Sequence, residues 1–259
     1  MIFDHVHPSH GGPNTVHITR VQVACLIRDA GCRRVLDLPS GTGALTHMLL
    51  ESGIEAVSAD LNPEGFVVPG RSCVQADLNA TLPFADGDFD GFACIEGIEH
   101  IENPHLLARE ANRVLKPGGR IYISTPNVLS IRSRLSYLLR GYPDQFHYMI
   151  EVDKETGVEQ PVAHINPIGY LELRYTLSLW GFHVDLVETN QPVKQGSLVY
   201  RLLRAVLQMR GRRAAASSAH TAQVRRVLLS DTVLFGEALI VGAKKIADCR
   251  SNYKPTTST

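Results

Sequence analysis

Apolar residues recur along this chain in two rhythms. Short unbroken runs bounded by glycine, proline or an acid alternate with stretches where apolar residues return every three or four positions. The first rhythm reads as buried strands and the second as amphipathic helices. Val16, Val23, Leu26 and Ile27 fall at helical spacing and predict a helix over 14–31, with Asn14 as a candidate N-cap and Gly31 as its stop. Strands are predicted at Arg34–Leu38, Ala56–Asp60, Ser72–Ala76, Gly91–Ile95, Arg120–Ser124, Phe182–Glu188 and Leu234–Ala243. Between them lie helices over 44–52, Pro104–Leu115, Val128–Arg140 and Pro167–Leu179, and a Pro- and Gly-rich loop after Asp60. Lys116-Pro117-Gly118-Gly119 reads as a helix stop that turns the chain into the fifth strand. Strands alternating with helices predict a doubly wound parallel sheet.

The first strand runs into Asp37-Leu38-Pro39-Ser40-Gly41-Thr42-Gly43-Ala44. Two glycines at the turn let the backbone approach a ligand, and the following helix offers unpaired N–H groups. Asp37 stands before the glycines and Asp60 closes the second strand. That places a nucleotide-shaped crevice at the carboxyl end of the sheet. The arrangement suits a ligand whose ribose hydroxyls meet a carboxylate and which lacks a pyrophosphate. A dehydrogenase fingerprint would want a third glycine where Thr46 stands.

On these residues, and on the run Leu82–Asp90 and the Lys-Pro-Gly-Gly turn, the chain resembles class I S-adenosylmethionine-dependent methyltransferases over about residues 33–190 plus the last strand. Their first motif has the form Asp-x-Gly-x-Gly-x-Gly, and Pro39 here stands at the first glycine. The resemblance implies an α/β fold, a Rossmann-like doubly wound seven-stranded sheet of order 3-2-1-4-5-7-6 with the last strand antiparallel. It implies one domain over 1–247, with helical insertions at 128–165 and 194–231 on the acceptor face. It also implies S-adenosyl-L-methionine as cofactor, held by Asp37, Leu38, Pro39, Ser40, Gly41, Gly43, Asp60, Leu61, Asp77, Leu78 and Glu96. Asp77 would meet the adenine amine and Leu78 the ring; a loop-capping role is the other reading of Asp77.

The fourth strand leads into Glu96-Gly97-Ile98-Glu99-His100. On a helical turn Glu96, Glu99 and His100 share one face. Mixed oxygen and nitrogen ligands suit Mg²⁺, Mn²⁺ or Zn²⁺. The spacing resembles that of small-RNA 2′-O-methyltransferases and ubiquinone-pathway O-methyltransferases, which implies a metal held by Glu96, Glu99, His100 and a later histidine, His164 or its competitor His147. Catalytic roles fall to Glu99 and His100; His100 acting alone as general base, or a turn merely capped by these side chains, are the other readings.

Five scattered cysteines without a Cys-x-x-Cys pair read as reduced buried thiols of a cytoplasmic protein. No apolar run reaches 18 residues, and no signal pattern opens the chain. His5, His7 and His10 sit in an irregular beginning, and 248–259 reads as a disordered polar tail. The formal net charge is zero, yet Lys194 and seven arginines from Arg201 to Arg226 share a stretch with no acid. Within it the helix 198–213 is amphipathic and basic, suited to peripheral contact with the inner face of a membrane or to an ordinary lid. Nucleic acid is a weaker fit because no aromatic platform interleaves with the arginines. The expected function is O-methylation of a glycan, lipid-linked or other small-molecule acceptor. RNA 2′-O-methylation with a metal and a cofactor-binding regulator without turnover are the alternatives.

Overall fold

Side chains in the centre of the sheet alternate between two water-free faces, which is why the central strands read as unbroken apolar runs. A computed structural model describes residues 13–146, 150–153, 156–161, 164–190, 198–213 and 218–248. In β1 (Arg34–Asp37) Leu36 joins one core and Val35 the other; in β4 (Phe89–Ile95) Phe92 and Cys94 oppose Ala93 and Ile95. In β5 (Leu115–Pro126) Ile121 and Ile123 oppose Tyr122. The first core is closed by Leu107, Ala108 and Ala111 of α3 (Pro104–Val114) and by Leu173 and Leu177 of α5 (Tyr170–Leu179). The second is closed by Val23 and Ile27 of α1 (Pro13–Asp29) and by Leu45 and Leu49 of α2 (Ala44–Glu51).

Two more strands, β2 (Glu55–Asp60) and β3 (Cys73–Gln75), extend the sheet beyond β1, and β9 (Ala238–Lys245) and β8 (Phe182–Thr189) extend it beyond β5. The strand order is β3-β2-β1-β4-β5-β9-β8. Pairings from β3 through β5 are parallel, while β9 runs antiparallel to both neighbours. Counting these seven strands alone, this is the expected 3-2-1-4-5-7-6 order. Successive strands are added leftward from β1 and rightward from β4, and this switch in strand order opens the crevice between their carboxyl ends.

Several boundaries depart from the sequence reading. Asn14 lies inside α1 rather than capping it, because the helix already begins at Pro13, which needs no N–H there. Gly31 does end the segment, with φ +74°. Pro117-Gly118-Gly119 is not a free turn: α3 stops at Val114, Leu115 pairs with Phe89, and the prolyl-glycyl run is an irregular opening of β5. The helix expected from Val128 starts at Ile131, because the Ser130 side chain accepts from the N–H of Ser133 and sets α4 (Ile131–Arg140). The helix expected from Pro167 starts at Tyr170. Leu234 and Phe235 fall in a short helix, α8 (Asp231–Phe235), capped by Ser230, so the last strand begins only at Ala238.

The polar segment after α4 contains a hairpin, β6 (Ile150–Val152) with β7 (Glu159–Pro161), whose pairing the sequence pattern does not announce. The second insertion carries α6 (Leu198–Arg213) and α7 (Ala219–Leu228). His5, His7, His10, His147, Lys194 and residues 249–259 lie outside the described residues. Between α5 and β8, Trp180 donates its indole N–H to His105 Nδ1 at 3.1 Å, and the Arg109 guanidinium lies over its ring.

Lys245 shows how the far edge is tied to α3. Its buried Nζ donates to the carbonyls of Asn112 (2.8 Å) and Leu115 (2.9 Å) where α3 ends, and it pairs with Asp248 at 2.7 Å. Lys245→Ala leaves two buried carbonyls without a donor. Chemical denaturation is expected to show a loss of about 1–3 kcal/mol, and an unchanged midpoint would contradict this role.

Candidate active site

Asp37 ends β1 with 1% of its surface exposed. Its Oδ2 accepts the N–H of Thr46 at 3.1 Å and the Thr46 hydroxyl at 2.7 Å, and Thr46 Oγ1 is also 2.8 Å from Ser58 Oγ. Oδ1 is buried with no hydrogen-bond partner among the described residues. Burial pushes the carboxyl up to about 6, against the pull of the Thr46 donors and the charge of Arg20. Asp37 therefore anchors the first turn of α2 from beneath and does not reach an open surface.

The turn itself is pinned from the side. Ser40 N–H donates to the carbonyl of Ala59, and Gly41 N–H donates to Asp60 Oδ2 at 2.8 Å. Asp60 Oδ1 accepts from Asn62 N–H, so the carboxylate is oriented by both flanks before any ligand arrives. The two glycines serve different ends. Gly41 has φ +52° and open space where a Cβ would stand; Gly43 has φ +85°, and a Cβ there would lie 2.4 Å from Phe66 and Val68. The open side of the turn is at Gly41, while Gly43 is covered by the chain's own β2–β3 loop. Leu61 is half exposed beside Asp60.

Pro39 is accommodated by a third glycine that the sequence reading left without a role. A Cβ on Gly97 would lie 2.6 Å from Pro39 Cδ and 2.9 Å from its Cγ, so the prolyl ring occupies space that only glycine at 97 leaves free. Leu38 is buried in the core. Asp77 is exposed and accepts from Asn79 N–H at 2.7 Å through Oδ1, the loop-capping arrangement, and Leu78 is buried in the first core.

Beyond β4 the expected helical turn is a single 3₁₀ turn, Ile98–His100. Glu96 precedes it with φ +51° and faces β5: Ser124 Oγ donates to Glu96 Oε1 at 2.7 Å. Glu99 is fully buried, and neither carboxylate oxygen has a hydrogen-bond partner among the described residues. Burial holds its carboxyl well above the usual carboxylate range, and Glu96 beside it adds to the rise. Burial raises Glu96 too.

His100 Nε2 lies 3.9 Å from Glu99 Oε1, and the rings of His100 and His164 meet edge to face with centroids 4.8 Å apart. His164 is brought 64 positions along the chain by the backbone: the carbonyl of Glu99 accepts from both Ile165 and Asn166 N–H, and Asn166 Nδ2 donates to the carbonyl of Ile101. Glu99, His100 and His164 each offer a ligand atom within 4.8 Å of one another, while Glu96 stands outside the cluster, turned toward Ser124.

A structural comparison matches a methyltransferase from Archaeoglobus fulgidus that depends on the same cofactor: TM-score 0.54, 22% identity, 87% of this chain and 94% of that one. It shows the fold. A family model described as a methyltransferase domain matches residues 36–123, which contain the glycine turn, Asp60, Asp77 and the Glu96–His100 turn. A demethylmenaquinone methyltransferase of Mycobacterium tuberculosis is 32% identical over 181 residues, covering 63% of this chain and 76% of that protein. The chain belongs to the class I S-adenosylmethionine-dependent methyltransferases. A protein of the same name from Clavibacter sepedonicus is 34% identical over 158 residues, 54% of this chain and 61% of its own length. A ubiquinone biosynthesis O-methyltransferase of Xanthomonas oryzae is 33% identical over 108 residues, 38% of this chain and 45% of its own length.

S-adenosylmethionine is the cofactor of this methyltransferase family, and the open flank of Gly41, the oriented Asp60 and half-exposed Leu61 fit an adenosine. Sequence reasoning missed four contributors: Thr46, which holds Asp37; Gly97, which admits Pro39; Ser124, which holds Glu96; and Arg20 of α1. Arg20 is half-buried and is the cation that acts on both Asp37 and Glu96. Nothing local marks a single arginine in a helix as belonging to a site two strands away.

Because the Asp37 carboxyl binds its proton more tightly folded than unfolded, its contribution to stability falls as pH rises from 3.8 toward about 6. Asp37→Asn keeps an oxygen for the Thr46 donors and removes the buried charge. The unfolding free energy of the variant relative to wild type is expected to rise between about pH 4 and about pH 7 by roughly 3 kcal/mol, measured without cofactor. A flat difference across that range would refute the assignment. Gly97→Ala should push Pro39 out of place and weaken S-adenosylhomocysteine binding by roughly tenfold, with Pro39→Gly restoring most of the loss in the double variant. Calorimetric losses that simply add would show that the two residues do not share this space.

Proposed function

We propose that the chain transfers the methyl group of S-adenosylmethionine to a hydroxyl of a small lipid-linked or lipid-soluble acceptor that carries a second oxygen beside it. The observation that carries this reading is Glu99: a carboxyl wholly removed from water, beside Thr125 and Glu96 and next to two imidazoles. Such a buried carboxyl is costly as an anion unless a proton or a cation neutralises it. Glu99, His100 and His164 supply mixed oxygen and nitrogen ligands suited to Mg²⁺, Mn²⁺ or Zn²⁺. A divalent ion there would lower the pKa of a bound hydroxyl.

The chain's own residues do the positioning. His164 Nδ1 lies 3.0 Å from the carbonyl of Gln145, which favours Nδ1 as the donor and leaves Nε2 as the ligand nitrogen. With no ion bound, His100, partly exposed, would instead be placed to take the acceptor's proton. Asp60 grips the ribose hydroxyls, Leu61 covers the adenine, and Arg20 supplies the counter-charge for the cofactor's carboxylate. Two relatives whose names refer to menaquinone and ubiquinone support a quinol-type acceptor within this class, and the basic amphipathic α6 supports peripheral contact with a lipid surface.

Label transfer from S-adenosylmethionine into lipid, glycan and RNA fractions tests the acceptor: label in a lipid fraction is expected, and label confined to RNA would overturn the reading. Glu99→Gln, which keeps the shape and removes the charge, is expected to lower kcat at least a hundredfold and to abolish the response to added divalent metal. Full activity in this variant, or a rate indifferent to chelator, would leave a methyltransferase without a metal.

A further inference from the structure

The last turn of α4 presents Tyr137, Leu138 and Leu139 in succession, exposed to 62%, 77% and 78%. Three consecutive side chains point in three directions around a helix, so no single neighbouring element explains them. The tip is also firmly built. Gly141 closes the helix at φ +85°, Ser136 Oγ donates to the carbonyl of Tyr142, and Ser133 Oγ accepts from Asp144 N–H. A rigid apolar tip held in the open is designed to enter something.

A second apolar feature stands on the same foundation. Leu135 of α4 and Leu203 and Leu207 of α6 all pack against the small core of Ile131, Leu234 and Phe235. With Leu203 and Leu207 turned inward, Leu198, Leu202, Val206 and Met209 form a separate stripe along α6, exposed to 68%, 60%, 44% and 55%. The stripe follows helical spacing, so it is a face and not a scatter of side chains.

Charge selects the occupant. Residues 127–143 and 191–230 together hold eleven arginines and lysines and no carboxylate, leaving fifteen basic against twenty-six acidic residues in the rest of the chain; two of the eleven are paired from just outside, Arg132 with Asp144 at 2.8 Å and Arg204 with Asp231 at 2.9 Å. Arg140 and Arg201 are exposed beside the tip and the stripe, and Arg134 is partly buried with no ion pair among the described residues. A second copy of this chain would bring like charges together. An anionic bilayer matches both the leucines and the arginines, and it repels the acidic remainder, so the molecule can approach in one orientation.

We infer that the tip of α4 and the outer stripe of α6 form one docking surface that seats the enzyme on an anionic lipid bilayer. The inference rests on the lipid-acceptor reading only for its purpose; binding itself is read without acceptor or cofactor. Full-length protein should float with vesicles of phosphatidylcholine and phosphatidylglycerol, much less with phosphatidylcholine alone, and should be released by high salt. Leu138→Asp with Leu139→Asp, both at exposed positions, should weaken flotation at least tenfold while methyl transfer to a short-tailed, water-soluble acceptor is kept. Leu202→Asp should do the same from the other helix, and Arg140→Glu with Arg201→Glu should erase the preference for anionic vesicles. No flotation by wild type, equal flotation by the leucine variants, or a wild-type dimer that these variants dissolve would each overturn the inference. Flotation with no label entering lipid would instead count against the acceptor reading alone.

Discussion

The architecture of the site begins with a carboxylate that has no water. Asp37 is held at the end of β1 by the backbone N–H and hydroxyl of Thr46, and this contact fixes where α2 starts relative to the strand. Once that first turn of helix is anchored, the intervening residues have one way to close: Gly41 leans on Asp60, Ser40 on Ala59, and the prolyl ring at 39 fills the hollow over Gly97. The turn is thus braced from below, from the β2 side and from the β4 side. The three strands whose carboxyl ends make the crevice are the same three that brace it, which couples the sheet's integrity to the position of the ligand-facing backbone.

Much of this was legible in the sequence because the signals are local. Buried strands carry their own apolar runs, and the acid–glycine–acid spacing sits within one strand–turn–helix–strand unit. The strand order and the antiparallel last strand came from resemblance, and both are found. What escaped were relations between distant positions. That Glu96 turns to Ser124, that Gly97 exists for Pro39, and that Arg20 lies over the strand ends are facts of folding partners, invisible to spacing along one segment. At the adenine end, too, spacing could not show that Asp77 accepts from Asn79 N–H in its own loop and that Leu78 packs into the core.

Helix boundaries shifted for a different reason. At α4 and α8 a serine side chain accepts the N–H of the third helical residue, and hydrophobic periodicity that runs past such a cap cannot say which residue will start the helix. The insertions these helices belong to were visible mainly as breaks in the βα pattern, and their arginines as a break in charge. Placing α4 and α6 on one small core unites two observations that lie far apart along the chain.

Trp180, the chain's single tryptophan, follows α5 and sits against His105 and Arg109 of α3. Its emission is therefore a gauge of whether α3 and α5 remain docked. An optical reporter of occupancy can be planted separately, and the half-exposed Leu61 beside Asp60 is a place to plant an indole.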